Sequence, residues 1–256
     1  MSRKKSSIKF VGLHAHSVAG SIFDAIGYPQ EHMDYAHSNG MDALALTDHG
    51  NMNGLSWQVL HAKKMLSEGK TFKPIFGVEA YFTTSVKEWR SAYDDAMADK
   101  KKARSAKKAK QSGATTEDEG GTKAAQPILK RRRHLILIAQ NQVGLNNLYK
   151  LISKSYTEEY FYRYPRMDYD LLREHSEGVI AASACLGGVY AGNYWENREE
   201  GPEAVLEAMR ETTREMVSIF GDRWYAELQW NNIPEQHELN KYIIQIAKEF
   251  DLKMIS

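Results

Sequence analysis

The sequence predicts an α/β fold of parallel strands with helical crossovers, either a closed barrel or an open sheet. Two observations carry that prediction. Short apolar runs bounded by turn residues alternate with amphipathic stretches along most of the chain. The connections between them are short, which is the pattern of repeated βα units. A third observation is chemical: several apolar runs end on a residue able to bind a metal, and in both architectures chemistry collects at the C-terminal ends of the strands.

The first run, IKFVGLHA, reads as a strand. PQEHMDYAHSNG reads as a helix, with Pro29 at a first helical position, Glu31 in the first turn and Gly40 at the stop. MDALALTDH is a second strand, and NGLSWQVLHAKKMLSEG a helix closed by Gly69. KPIFGVEAYFT and RHLILIAQN are further strands, and the helix VGLNNLYKLISKSYTEEY follows the second of them. GVIAASACLGG is a strand running into a glycine turn, EAVLEAMRETTREMVSIFG a long helix, WYAELQW a strand and PEQHELNKYIIQIAKEF a helix. DLKMIS opens one more strand.

One segment, from about Lys87 to Arg133, breaks the pattern. It contains KKARSAKKAK, TTEDEGG and ILKRRR and has few apolar anchors. It is expected to be an inserted loop, largely disordered or loosely helical. Its basic character suits a phosphate backbone, although a solvated insertion explains it as well.

Composition bounds the class. The 256 residues are 42% hydrophobic and 26% charged, with a formal net charge of +1. Those values are ordinary for a soluble globular domain, and the overall charge points to no particular partner. With a single cysteine, Cys185, no intramolecular disulfide can form. The amino-terminal residues carry lysines without a following apolar core, and no run is long enough to cross a bilayer. A cytoplasmic protein with no membrane partner is expected.

The histidines carry the functional signal. His14 and His16 are two residues apart, so on a strand both imidazoles face the same way and can grip one ion. Asp24 follows in a loop, Asp48 and His49 end the second strand, and Glu79 sits in the third. His134 departs from the strand-end rule because it precedes its apolar run, and Cys185 completes the set. Nitrogen, oxygen and sulfur donors together suit zinc, manganese or iron better than calcium or magnesium. No CxxC or HExxH pattern is present, so neither a zinc finger nor a metalloprotease helix is supported. The donors exceed what one tetrahedral ion needs, and clustered ions are a standard device for phosphoester hydrolysis.

In order, HAHS, ALTDHGNMNG, FGVEAYF, HLILIAQN, YKLIS and SACLGG resemble the motifs of the polymerase and histidinol phosphatase (PHP) domain. Within that family, TDHGNMNG, GVEAYF and YAELQW resemble the branch found at the N-terminus of the alpha subunit of bacterial-type DNA polymerase III. The resemblance implies a single PHP domain over residues 1–256, a distorted seven-stranded β/α barrel interrupted by the basic insertion at about 87–133. It implies two or three divalent ions. His14 and His16 would hold the first, and Glu79, His134 and Cys185 the second, with Glu79 bridging; Asp24 and His49 would serve the third. His14, His16 and Glu79 then carry the catalysis, while Asp48 either orients His49 from behind or serves as a turn-forming residue.

Two departures from the family pattern stand out. The usual Asp-Gly is Asp24-Ala25 here, with one extra residue after HAHS. The family's last two ligands come from a TNDxHY-like motif after the strand matching DLKMIS, and the sequence ends at Ser256. The expectation is a piece of a longer polymerase subunit, lacking its final strand motif and with the polymerase active site elsewhere. The implied activity is metal-dependent phosphodiester hydrolysis acting as a 3′→5′ exonuclease, with DNA and the rest of the replisome as partners. The alternatives are a metal-stabilised scaffold for the polymerase or a proofreading subunit, and a free-standing phosphatase acting on a small phosphomonoester. His32, His37, His61, His175 and His237 are expected at the surface. The aromatic run at 156–170 is expected near the barrel mouth, with Tyr160 or Phe161 either packing or stacking on bases.

Overall fold

The computed structural model describes residues 10–111 and 132–256, and side chains within them except at 103–111. In chain order the elements are α1 (Pro29–Ser38), β1 (Ala43–Leu46), α2 (Leu55–Ser67), β2 (Lys73–Phe82) and α3 (Val86–Gln111). There follow β3 (Arg133–Ala139), α4 (Gln142–Ser155), β4 (Phe161–Tyr162), β5 (Tyr164–Met167), α5 (Tyr169–Glu174) and β6 (Val179–Ala182). The last are α6 (Val189–Asn197), α7 (Pro202–Phe220), β7 (Trp224–Glu227), α8 (Pro234–Glu249) and β8 (Lys253–Ile255).

Side-chain alternation along the strands makes two faces. On one face Val78, Ala80, Phe82, Leu135, Leu137, Val179, Ala181, Trp224 and Ala226 pack against helices through Leu148, Leu151, Met209, Met216 and Ile243. On the other face Ala45, Ile136, Ile138 and Ala182 meet Leu13, Ile75, Tyr225 and Ile255. Leu13 and Ile255 come from opposite ends of the strand order yet share this inner cluster. The sheet therefore curls on itself into a distorted β/α barrel. A third cluster, built from Leu44, Leu46, Met33, Ala36 and Met65, seats α1 and α2 outside β1.

The strand directions differ from the all-parallel expectation. β1 and β5 run parallel to β2, and β6, β7 and β8 run parallel to one another, but β3 is antiparallel to both β2 and β6. The chain leaves β2 and re-enters the sheet at the same end, so β3 points back down. This inversion places His134, the second residue of β3, opposite Tyr81 near the end of β2.

The run IKFVGLHA also differs from expectation. Its described part makes one bridge, Gly12 to Leu44, and gives Ala45 and Thr47 their acceptors at Gly12 and Ala15. Leu13 packs with the inner cluster and Ala15 with the outer one. The regular alternation of a strand is thus broken where the two histidines leave it. Counting this segment, seven strands among the described residues curl around the inner cluster.

The expected insertion is partly regular. α3 begins with Val86 and Trp89, three residues apart and both buried, and the Arg166 guanidinium lies over the Trp89 ring. Asp168 receives the N–H of Val86 at 2.9 Å and that of Leu171 at 3.1 Å. One carboxylate thus ties the start of α3 to the start of α5, each such cap being worth about 1 kcal/mol. These two apolar anchors and good helix formers beyond them are enough to order the first part of the segment. KKARSAKKAK extends α3 along the backbone, residues 112–131 lie outside the described residues, and Arg133 already belongs to β3. The aromatic run forms a β4–β5 hairpin turning at Arg163, whose φ is 59°.

Leu148 on α4 has no exposed surface and sits between the helix layer and the sheet. Leu148→Ala is expected to lower the unfolding free energy by about 2–5 kcal/mol, from lost burial and the cavity left behind. Urea unfolding of the two proteins measures it.

Candidate metal centre

Glu79 is the middle of the site. It points inward from β2 because Val78 and Ala80 point outward, and its side chain is 0% exposed. Its Oε2 lies 2.5 Å from His16 Nε2, 3.2 Å from His14 Nε2 and 3.5 Å from His49 Nδ1. Its Oε1 lies 2.6 Å from His134 Nδ1 and 3.8 Å from Cys185 Sγ. A carboxylate removed from water is costly unless it is paired, and four imidazoles and a thiol converge here on one.

Each partner is delivered by a backbone feature. The Asp48 carbonyl accepts from Glu79 N–H, and Gly50 N–H donates to the Glu79 carbonyl at 2.8 Å, so His49 lies in register with Glu79. His134 arrives through the reversed β3. Cys185 leaves β6 in a tight turn where Gly187 N–H approaches Sγ at 3.3 Å and the Gly187 carbonyl accepts from His134 N–H. A Cβ on Gly187 would sit 3.0 Å from His134 Nδ1, so a side chain there would push the ring.

Asp24 closes the outer edge. Its Oδ2 is 2.6 Å from His49 Nε2 and 3.3 Å from His16 Nδ1, and its side chain is 44% exposed. The loop carrying it is held by Asp48, whose buried carboxylate accepts from Ser17 N–H at 2.6 Å, Ser17 Oγ at 2.8 Å and Ser21 Oγ at 3.0 Å. Asp48 therefore does not orient the His49 ring as expected. Adjacent residues of an extended chain face opposite ways, and its side chain turns to the loop. The ring instead stacks on Tyr81 at 5.7 Å, with the planes 4° apart. Gly20 lets this loop approach, since a Cβ there would fall 2.3 Å from Asn51 Oδ1.

Burial and pairing oppose each other at these groups. Burial by itself would push His14 down, but hydrogen bonds to Glu227 and Glu79 raise it to about 10 from its ordinary 6.5. Burial would raise Glu79, yet hydrogen bonds from His134, His14 and His16 hold it far below the usual carboxylate range. Burial lowers His49. Burial, reinforced by the charge of Glu79, pushes the Cys185 thiol up to about 12.

The donors fit divalent ions. Three overlapping triads, His14–His16–Glu79, His16–Asp24–His49 and His49–Glu79–His134, each bring one donor atom per residue within 4.8 Å of the others. His49 Nδ1 is buried and lacks a hydrogen-bond partner, as suits a lone pair meant for an ion. His16 and His49 each serve two triads, so the grouping is more shared than one pair of histidines per ion. Cys185 is in none of the triads but lies 3.5 Å from His134 Nδ1. His14, His16, Asp24, His49, Glu79, His134 and Cys185 all line one cavity of about 460 Å³.

The structure adds residues that sequence reasoning passed over. Glu227, the last residue of β7, places Oε1 2.7 Å from His14 Nδ1. It obeys the strand-end rule that singled out the other acidic residue, and YAELQW contains it. Gln229 was not passed over: the QWNNIP segment, 229–234, is expected to border the cleft because it follows a strand end, and Gln229 lies 3.4 Å from the same nitrogen and lines the cavity. His32, expected at the surface, lines the cavity, and its buried Nε2 has no partner. Helical periodicity alone held no signal for it. The aromatic run reaches the site through Tyr164, whose ring meets Tyr81 at 5.1 Å, while Tyr160 packs against the main core.

Comparison with known proteins agrees with this geometry. The PHP domain profile matches residues 12–231. The chain belongs to the PHP domain family. This PHP chain is 38% identical over 247 residues to the DNA polymerase III subunit alpha of Aquifex aeolicus, covering 96% of the chain and 18% of that protein. It is 32% identical over 253 residues to the DNA polymerase III subunit alpha of Thermus aquaticus, covering 98% of the chain and 17% of that protein. The PHP chain thus spans less than a fifth of the curated relatives it matches. Likeness among solved structures is remote: an amidohydrolase from Chromobacterium violaceum aligns with a TM-score of 0.48 at 12% identity, covering 95% of this chain and 84% of that one.

The shifts set a pH dependence for the metal-free protein. Stability contributed by protonated His14 is fully present below pH 6.5 and is lost as pH rises through about 10. Glu79 works in the opposite sense: its contribution is present above its ordinary 4.5 and lost only in strong acid. Metal-free protein is expected to lose stability steadily from pH 6.5 to 10, and His14→Ala to flatten that slope. Urea unfolding across the range with a chelator present tests both.

Proposed function

We propose that this chain is the PHP domain of a DNA polymerase III alpha-type subunit and that it hydrolyses DNA phosphodiester bonds from the 3′ end, in a proofreading sense. The observation carrying this reading is the Glu79 carboxylate, wholly buried among His14, His16, His49 and His134. So dense a cluster of charge and imidazole has no use in packing alone. Residues 1–256 are read as one domain with a basic insertion at about 87–133, joined to the rest of the polymerase subunit and working in the cytoplasm. No helix among the described residues is long and apolar enough to cross a membrane.

Two or three divalent ions of zinc, manganese or iron would be held by His14, His16, Asp24, His49, Glu79, His134 and Cys185. When bound, such ions activate water and offset charge on the phosphoryl oxygens. The chain's own part is placement. Asp24, exposed at the rim, marks the side from which a phosphodiester enters. His16 and His49, whose ring centroids are 4.3 Å apart, form the wall beneath it, and Tyr81 stacked on His49 keeps that wall from turning. Water attacks phosphorus, the bond to the 3′ oxygen of the preceding nucleotide breaks, and that oxygen takes up a proton. No protein nucleophile is required. The Cys185 thiol, pushed up to about 12, holds its proton at neutral pH in the metal-free protein and is no attacking thiolate. The similarity to polymerase alpha subunits along 96–98% of the chain favours DNA as the substrate.

The test is digestion of 5′-labelled single-stranded and mismatched duplex DNA with manganese or zinc supplied. The chain is expected to shorten DNA from the 3′ end, and His14→Ala/His16→Ala to be slower by more than about 100-fold, the scale of losing several kcal/mol of charge stabilisation. A folded, metal-loaded chain that leaves DNA intact would overturn the nuclease reading. Turnover of a small phosphomonoester would then favour a phosphatase, and no turnover a scaffold.

A further inference from the structure

Glu227 ends β7 with its side chain turned toward the barrel interior, because Trp224 and Ala226 face the helices. It is 5% exposed, and its backbone N–H donates to Ser183 Oγ at 2.9 Å. A carboxylate so placed must be paired or it destabilises the fold. Its Oε1 is shared by His14 Nδ1 at 2.7 Å and Gln229 Nε2 at 3.0 Å. Gln229 is held in turn, its carbonyl accepting from Asn240 Nδ2 at 2.8 Å and its Oε1 from Asn231 Nδ2 at 3.3 Å. A chain of hydrogen bonds therefore runs from α8 to one nitrogen of one candidate ligand.

The other nitrogen of that ring, Nε2, faces Glu79 Oε2 at 3.2 Å. His14 is thus clamped between two buried carboxylates from β2 and β7. The remaining imidazoles of the cluster are served differently. His16 and His49 share Asp24 and Glu79, and His134 meets Glu79 and Cys185. Only Glu227, among the described carboxylates around the cluster, touches an imidazole without belonging to a triad. That is the geometry by which a carboxylate fixes the tautomer of a ligating histidine: Nδ1 donates backward, and the Nε2 lone pair is presented forward.

We propose that Glu227 is a positioning residue for the metal centre. Its Oε1 accepts the Nδ1–H of His14, holding the ring so that Nε2 is presented on the Glu79 side and the affinity for the ion there rises. Glu227 itself touches neither ion nor substrate. Its second oxygen is buried and without a protein partner, and the residue lines a separate cavity of about 290 Å³ together with Gly12, Leu13, His14 and Gln229.

This inference rests on the metal-centre reading above, and its test separates the two. Manganese and zinc affinities are measured by competition with a chelating indicator for the wild-type chain, Glu227→Gln, Glu227→Leu, His14→Ala and the His14→Ala/Glu227→Leu pair. Circular dichroism confirms folding of each metal-free protein. Loss of a partner behind a ligand weakens metal binding by about 10–100-fold. Glu227→Gln, which keeps an accepting carbonyl, is expected near the lower bound and Glu227→Leu near the upper. In the His14→Ala background Glu227→Leu is expected to add no further loss, since Glu227 acts through that ring. Nitrogen-15 spectra of the histidine rings in the metal-loaded chain are expected to show His14 protonated at Nδ1 in the wild type and mixed in Glu227→Leu.

Wild-type affinity in Glu227→Gln and in whichever Glu227 variants fold would overturn the proposal. So would losses that simply add in the double variant, because that is what a purely structural role produces. A wild-type chain that takes up no divalent ion would overturn the metal-centre reading and this proposal with it. Wild-type uptake with unchanged Glu227 variants overturns this proposal alone.

Discussion

The structure is organised around a buried carboxylate that cannot stand alone. Glu79 has no exposed surface and lies on a central strand of the sheet, where an unpaired charge would cost several kcal/mol. What offsets that cost is the convergence of His14, His16, His49 and His134, drawn from segments up to 120 residues apart in sequence. Each such segment must hold its register to within a fraction of an ångström for the contact to form. The barrel is what supplies that accuracy. Its inner apolar cluster fills one part of the interior, leaving the rest to polar groups that satisfy one another.

The strand that breaks the parallel pattern matters most to this arrangement. A βα unit brings each strand's C-terminal end to the same face of the barrel, so a residue at the start of a strand would ordinarily fall on the opposite side. By running β3 antiparallel, the fold moves His134 to the correct side and leaves Ile136 and Ile138 for the inner cluster. The long excursion between β2 and β3 makes this reversal sterically simple, since the chain need not cross the barrel to re-enter at the same end. Its first part is ordered because Val86 and Trp89 are anchored and Asp168 caps both helices.

Behind the histidine–carboxylate cluster lies a second layer with its own logic. Asp48 spends its carboxylate on the loop from Ser17 to Ser21 and not on its neighbour His49. The loop so fastened carries Asp24, the most exposed member of the cluster. Tyr81 supports His49 by stacking, and Gly187 keeps clear of His134. These groups contribute geometry and no donor atom, which is why short-range pattern holds little trace of them.

The sequence by itself determined the class of fold and the chemical character of the site. Alternating apolar runs specify strands, amphipathic runs specify helices, and histidines and acids at strand ends announce a donor cluster, because each is a local property of a few neighbouring residues. It did not determine strand direction, since an antiparallel and a parallel partner need the same apolar alternation in β3. Nor could it tell that the described part of IKFVGLHA would make a single bridge, or that Asp48 would turn away from His49. Which donors are shared was equally hidden: His16 and His49 each reach two groups, and Glu227 reaches His14 across 213 positions. Those outcomes depend on distances between segments remote in the chain. Only closing the sheet sets these distances, because a buried charge will accept whichever partners the backbone brings within reach.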